Sequence, residues 1–135
     1  MPTSLTSLPL RAILGIDAAT CAVMGLVLIT GAGFIAGVTA IPAGLLCYAG
    51  LALLPIAAFM AIVASRPTPP AAGVWLVVTG NVLWVAASLV LAFGGLIAPN
   101  GLGWAFVLAQ ALIVAALAWL EYGALRGAVV RLQAG

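Results

Sequence analysis

Few side chains in this sequence could take part in chemistry, and one aspartate stands out among them. Asp17 lies in the stretch LGIDAATCAV, residues 14–23, where nearly every other residue is apolar. A carboxyl group in such surroundings can hold a proton, bind a cation or form a hydrogen bond to a neighbouring helix. The first question about this chain is therefore which of these Asp17 does.

The other polar side chains within apolar stretches are candidates for the same site. Helical spacing places Thr20 and Cys21 on the face of Asp17, and Ser88 on the face of Asn81. Because lipid does not solvate polar atoms, these faces are expected to point into the protein. We predict an intramembrane polar site made of Asp17, Thr20, Asn81, Ser88 and Gln110.

The residue types that are missing limit the possible chemistry. The sequence contains no histidine and no lysine, so histidine-ligated metal or haem, a Ser-His-Asp triad and a Schiff base are all excluded. Cys21 and Cys47 lie in different apolar stretches without metal-type spacing, which is typical of cysteines that fill space. We predict no catalytic residue, no metal, no cofactor and no nucleic-acid partner, and thus a protein that is not an enzyme.

The composition indicates a lipid environment. Of the 135 residues, 67% are hydrophobic and 4% are charged, whereas an ordinary soluble domain has about 25% charged residues. A domain of this size leaves about a third of its unfolded surface exposed and needs polar residues to cover it. The lipid bilayer is therefore the first predicted partner.

Four apolar stretches are long enough to cross a bilayer, which requires roughly 20 residues each. The breaks between them are the turn-forming segments TGAG, SRPTPP and GGLIAPNG. None of the stretches has the alternating pattern of barrel strands. The sequence predicts an all-α polytopic membrane protein, a single domain over residues 1–135 with four transmembrane helices in an up-down bundle. The predicted helices are 10–29, 41–64, 73–93 and 103–120.

The basic residues predict the orientation of these helices. With four spans, all four arginines fall on one side of the membrane, and the two connections on the other side contain none. Loops rich in arginine and lysine stay in the cytoplasm, so both termini are expected to be cytoplasmic. The residues are Arg11, Arg66, Arg126 and Arg131.

The depth of Asp17 determines which groups could be its partners. At 1.5 Å per residue it lies roughly 10 Å inside the first helix, too deep to reach water unaided. Arg11 is roughly 120° around the same helix and is not expected to pair with it. Asn81, at matching depth in the third helix, is the predicted partner of a largely neutral Asp17. Glu121 and Arg126 are expected to be solvated charges at the end of the fourth helix.

Three segments together resemble a known family. They are IPAGLLCYAGLALLPIAAF at 41–59, VVTGNVLWVAASLVL at 77–91 and WAFVLAQALIV at 104–114. They are similar to a family of small bacterial four-helix integral membrane proteins for which no activity is established. The resemblance covers helices 2 to 4 and, more loosely, helix 1 with Arg11 and Asp17. It implies a four-helix fold in the bacterial inner membrane, and it implies no activity.

Two functions fit these observations. The first is an accessory, assembly or structural subunit without enzymatic activity, which packs as a homo-oligomer or within a larger membrane complex through small residues on helices 1 and 4. The alternative is a small-solute or ion transporter or channel that acts as a homo-oligomer, with Asp17 as the coupling carboxylate. A solvent-accessible cavity that reaches Asp17 would separate the two, since its presence favours the alternative and its absence favours the first.

Overall fold

The computed structural model describes the backbone of residues 9–134 and the side chains of residues 9–127. Within this part, the chain forms four helices and no strand: α1 Leu10–Thr39, α2 Ala43–Ser65, α3 Ala71–Phe93 and α4 Gly101–Ala134. Each helix is long and apolar enough to cross a membrane. The predicted all-α class with four membrane-spanning helices is confirmed.

The closest packing in the bundle is between α1 and α2. It depends on two glycines that let the helix backbones approach each other. A Cβ atom built on Gly50 would lie 2.7 Å from the Gly25 carbonyl oxygen, and one on Gly25 would lie 3.0 Å from the Gly50 carbonyl oxygen. In lipid there is no hydrophobic driving force between helices, so small residues at a crossing allow the close van der Waals contact that holds the helices together.

The other helix contacts form a ring with one gap. α3 packs on α4, and α4 packs on α1, whereas α2 and α3 scarcely touch. Large apolar side chains cover the outside of the bundle, among them Phe34, Leu83 and Leu112. Such a surface suits lipid and not water. The gap between α2 and α3 leaves room for an internal cavity.

The predicted break at residues 30–33 is wrong, because α1 continues through it to Thr39. Within this segment the Thr30 hydroxyl donates to the Leu26 carbonyl oxygen of the preceding turn. Threonine and glycine favour turns in water, but in lipid the helix provides the only partners for its backbone groups. α1 ends instead at Thr39, and the next residue, Ala40, has the left-handed φ of 59°.

The predicted end of helix 4 at residue 120 is also wrong, since α4 begins at Gly101 and continues to Ala134. The prediction ended the helix where charged residues begin. That choice assumed that Glu121 faces water, and its side chain is instead buried. The starts of α2 and α3 fall within two residues of those predicted.

Asn100 joins the connection before α4 to the end of α1. Its side-chain amide donates to the Val38 carbonyl oxygen at 3.0 Å, and its side-chain oxygen accepts from the Gly103 backbone at 2.9 Å. The second bond is an N-terminal cap of α4. We call this the asparagine end of the bundle, and the end where α1 and α3 begin the arginine end.

Replacing Gly50 with alanine tests the α1–α2 crossing. Because the added methyl group meets a backbone carbonyl that cannot move aside, Gly50→Ala should lower the free energy of unfolding by about 1–3 kcal/mol. Gly80→Ala is the matched control, since a Cβ there has no neighbour within 4 Å. Unfolding of the two variants in mixed micelles measures the difference. Equal stability of both would contradict the close approach of α1 and α2.

Candidate functional site

Three polar side chains from three helices meet inside the bundle. The Asn81 amide nitrogen on α3 donates to Asp17 Oδ2 on α1 at 2.8 Å and to Glu121 Oε1 on α4 at 3.0 Å. The exposed fractions are 1% for Asp17, 5% for Asn81 and 0% for Glu121. We call these three residues the carboxyl–amide cluster. It connects α1, α3 and α4 through a single nitrogen atom.

Each member of the cluster lies on the buried face of its helix. Asp17 has Leu14 three residues before it and Cys21 four residues after it, and both are buried. Glu121 is placed in the same way between Leu117 and Leu125 on α4. Residues four apart lie on one face of a helix. The apolar residues that pack the bundle therefore also direct the carboxyl groups inward.

The prediction that Glu121 is a solvated end charge is wrong. Its side chain is fully buried, and it bonds to Asn81. The spacing of Leu117, Glu121 and Leu125 is the sequence signal that could have identified it. Arg126, named with it in the same prediction, is exposed and donates to the Tyr122 hydroxyl at 3.0 Å.

The cluster brings two acidic groups together without a basic partner. Asn81 uses both hydrogens of its amide, one for each carboxyl group. Because Asn81 bonds to both, the Asp17 and Glu121 carboxyl groups lie beside each other, and Glu121 Oε2 is buried without a partner among the described residues. Arg11 is occupied elsewhere, since it donates to the Ala64 carbonyl oxygen. Two carboxylates in contact repel each other, so a shared proton is the simplest way to hold them there.

A cavity of about 370 Å³ lies between the four helices and reaches Asp17. It extends from the cluster toward the asparagine end, and most of the side chains around it are apolar. Four of the five residues predicted for the polar site line it: Asp17, Thr20, Ser88 and Gln110. The fifth, Asn81, joins them through its bond to Asp17.

The polar residues of the cavity wall are bonded mostly within the wall itself. Gln110 accepts a hydrogen bond from the Trp84 indole at 2.9 Å and donates to the Val107 carbonyl oxygen. The hydroxyls of Thr20 and Ser88 each donate to the carbonyl oxygen one turn earlier on their own helix. Neither hydroxyl is bonded to Asp17, which is the one carboxyl group among the described residues of the wall.

A thiol lies between the cavity and the cluster. Cys21 Sγ is 3.6 Å from Asp17 Oδ1 and 3.9 Å from the Met60 sulfur on α2. The thiol is a weak donor to the carboxyl oxygen that Asn81 does not bond. Among the described residues, no three of the cysteine and acidic side chains are grouped as a metal site would require.

No protein-family model, curated protein or solved structure matches this chain. The resemblance to small bacterial four-helix membrane proteins therefore stays a prediction, and the site must be interpreted from its own geometry.

Removing the shared amide should destabilise the bundle. Asn81→Leu leaves two buried carboxyl groups without their common donor, so we expect a loss of about 1–3 kcal/mol or more in the free energy of unfolding. Glu121→Gln keeps the size of the side chain and resembles a protonated carboxyl group, so it should cost much less. Ser88→Ala is the control, because that hydroxyl bonds only to its own helix, and it should change stability by less than about 0.5 kcal/mol. Thermal unfolding in detergent measures all three. A stable Asn81→Leu variant would show that the cluster does not hold the helices together.

Proposed function

We propose that the protein is a proton-coupled transporter of a small solute. In this proposal the solute occupies the cavity between the helices, and the carboxyl–amide cluster holds the coupling proton. The observation that supports it is the contact between the two, since the cavity wall includes Asp17. An ionisable residue inside the membrane is by default a candidate functional site, because such residues mark ion, proton and solute pathways.

Coupling needs a solute site and a proton site that influence each other, and the cavity and the cluster provide these two sites. A solute in the cavity and a proton on the cluster both act on the Asp17 carboxyl group, so each changes the affinity of the site for the other. The two Asn81 hydrogen bonds connect that carboxyl group, on α1, to α3 and α4. A change of proton number in the cluster therefore alters the contacts by which α1, α3 and α4 are joined.

An accessory or structural role explains fewer of these features. A helix contact needs one satisfied hydrogen bond, whereas this cluster holds a second buried carboxyl group, Glu121, on the same amide. Burying a second carboxyl group adds a desolvation cost that a helix contact does not require. Packing alone also does not require a cavity beside it. Since residues from all four helices of one copy line the cavity, the proposal does not require the expected homo-oligomer or larger complex to form the solute site.

The proposal includes a location in the cell. Arg11, Arg66 and Arg126 are at the ends of helices that up-down topology brings to one side. We propose that this arginine end is cytoplasmic, as the positive-inside rule indicates, and that the membrane is the bacterial inner membrane. The asparagine end, toward which the cavity extends, would then be the outer end.

Transport can be tested in liposomes that contain the purified protein and a trapped pH-sensitive dye. With a pH gradient imposed, at least one solute from a panel of a quaternary ammonium ion, an alcohol and a carboxylate should change the internal pH beyond the rate in protein-free liposomes. Asp17→Asn should abolish the effect, because its side chain does not titrate. Ser65→Ala, whose hydroxyl bonds only within α2, should retain it. If no solute has an effect, or if Asp17→Asn behaves as the parent does, the proposed function is wrong.

A further inference from the structure

The residues that line the cavity indicate the chemical class of the solute, which the proposed function does not specify. Resting on that proposal, we propose that the ligand of the cavity is an organic cation with an apolar body, whose charge lies beside Asp17. The volume of about 370 Å³ falls at the low end of the range for sites that bind drug-sized molecules, which is about 300–1,000 Å³. One compact molecule therefore fits.

The apolar part of the wall determines the body of the ligand. Aliphatic and aromatic side chains from all four helices form most of the surface, including Leu28, Leu53 and Phe106. The Thr20 and Ser88 hydroxyls and the Gln110 amide are already bonded to the protein, and Tyr48 has the one other hydroxyl of the described wall. A sugar or nucleotide would lose water from many polar groups without gaining partners. The cavity thus selects against strongly polar solutes.

The Asp17 part of the wall determines the sign of the charge that the ligand carries. Asp17 is the only carboxyl group among the described residues of the wall, and none of those residues is an arginine. If the two carboxyl groups share one proton, one negative charge remains in the cluster, with only the Asn81 amide and the Cys21 thiol to stabilise it. An anion would be repelled, whereas a cation in the cavity pairs with this charge. The rings of Trp84 and Phe106 also favour a cation near their faces.

The wall reaches the outside of the bundle within the membrane. Tyr48 on α2 lines the cavity although its exposed fraction is 74%, and Ile113 on α4 does so at 52%. Both are on helical segments that face lipid. A ligand that enters beside them comes from the bilayer, which a molecule with an apolar body can do.

The cation and a second proton compete for one negative charge. When the second proton binds, the cluster becomes neutral, and the cation leaves. When the cation binds, one proton is released, so the total charge of the site is the same in both states. Among the described residues, the titratable groups beside Asp17 are Glu121 from α4 and Cys21 from its own helix. Asn81 from α3 does not titrate, and neither does Met60 from α2, which contacts Cys21. Affinity for the cation should therefore decrease as the pH falls.

Calorimetry with protein in lipid nanodiscs tests the ligand class. The probes are 4-phenylbutyl-trimethylammonium and the uncharged 4-phenylbutan-1-ol, and empty nanodiscs provide the background. The cation should bind about tenfold more tightly than the alcohol or better at pH 7.5, a factor that corresponds to about 1.4 kcal/mol. The ratio of the affinity for the cation to the affinity for the alcohol should be smaller at pH 5. Asp17→Asn should remove the preference for the cation, and Ser65→Ala should leave it unchanged.

The outcomes separate this inference from the proposed function. If the parent protein binds the alcohol as tightly as the cation, the ligand class is wrong even if some solute is transported, and this result needs no variant to fold. Binding of the cation without movement across liposomes would overturn transport and support the ligand class. A preference for the cation that survives in Asp17→Asn would also overturn the inference, because the charge would then be recognised elsewhere.

Discussion

The structure depends on how two carboxyl groups are held where there is no water. Moving a charge from water into lipid is costly, and among the described side chains Arg11 and Arg126 bond elsewhere, not to Asp17 or Glu121. Asn81 reduces this cost by donating one hydrogen to each. A proton shared between the two carboxyl groups would remove the repulsion that remains. The positions of α1, α3 and α4 follow from this arrangement because each contributes one of the three side chains.

The rest of the bundle is organised around the same contact. α1 is fixed to α2 by the glycine crossing and to the α3–α4 connection by Asn100. The cluster joins α1 to α3 and α4 nearer the arginine end. Between these contacts, α2 and α3 stay apart, and the cavity occupies the space. Helices joined by these contacts can surround a ligand in the gap between α2 and α3 without losing their packing.

The sequence predicts the fold and half of the cluster. The four apolar stretches specify the helices, and the matching depth of Asp17 and Asn81 specifies their hydrogen bond. Glu121 was missed because the end of helix 4 was assigned by charge, and the Leu117–Glu121–Leu125 spacing was not weighed against it. The break at residues 30–33 was misplaced because turn preferences measured in water do not hold in lipid. The cavity could not be predicted, since it depends on the distance between α2 and α3 and not on the type of any residue.

The shared proton can be measured directly, because Asp17 and Glu121 are the only two side-chain carboxyl groups in the sequence. Infrared spectroscopy of the protein in lipid at pH 7 separates the C=O stretch of a protonated carboxyl group from the bands of a carboxylate. The account predicts the intensity of one protonated group per chain. This band should shift in Asp17→Asn and in Glu121→Gln, and it should be absent from the double variant. A spectrum without the band, with the intensity of two protonated groups, or with a band unchanged in the double variant would contradict a proton shared between Asp17 and Glu121.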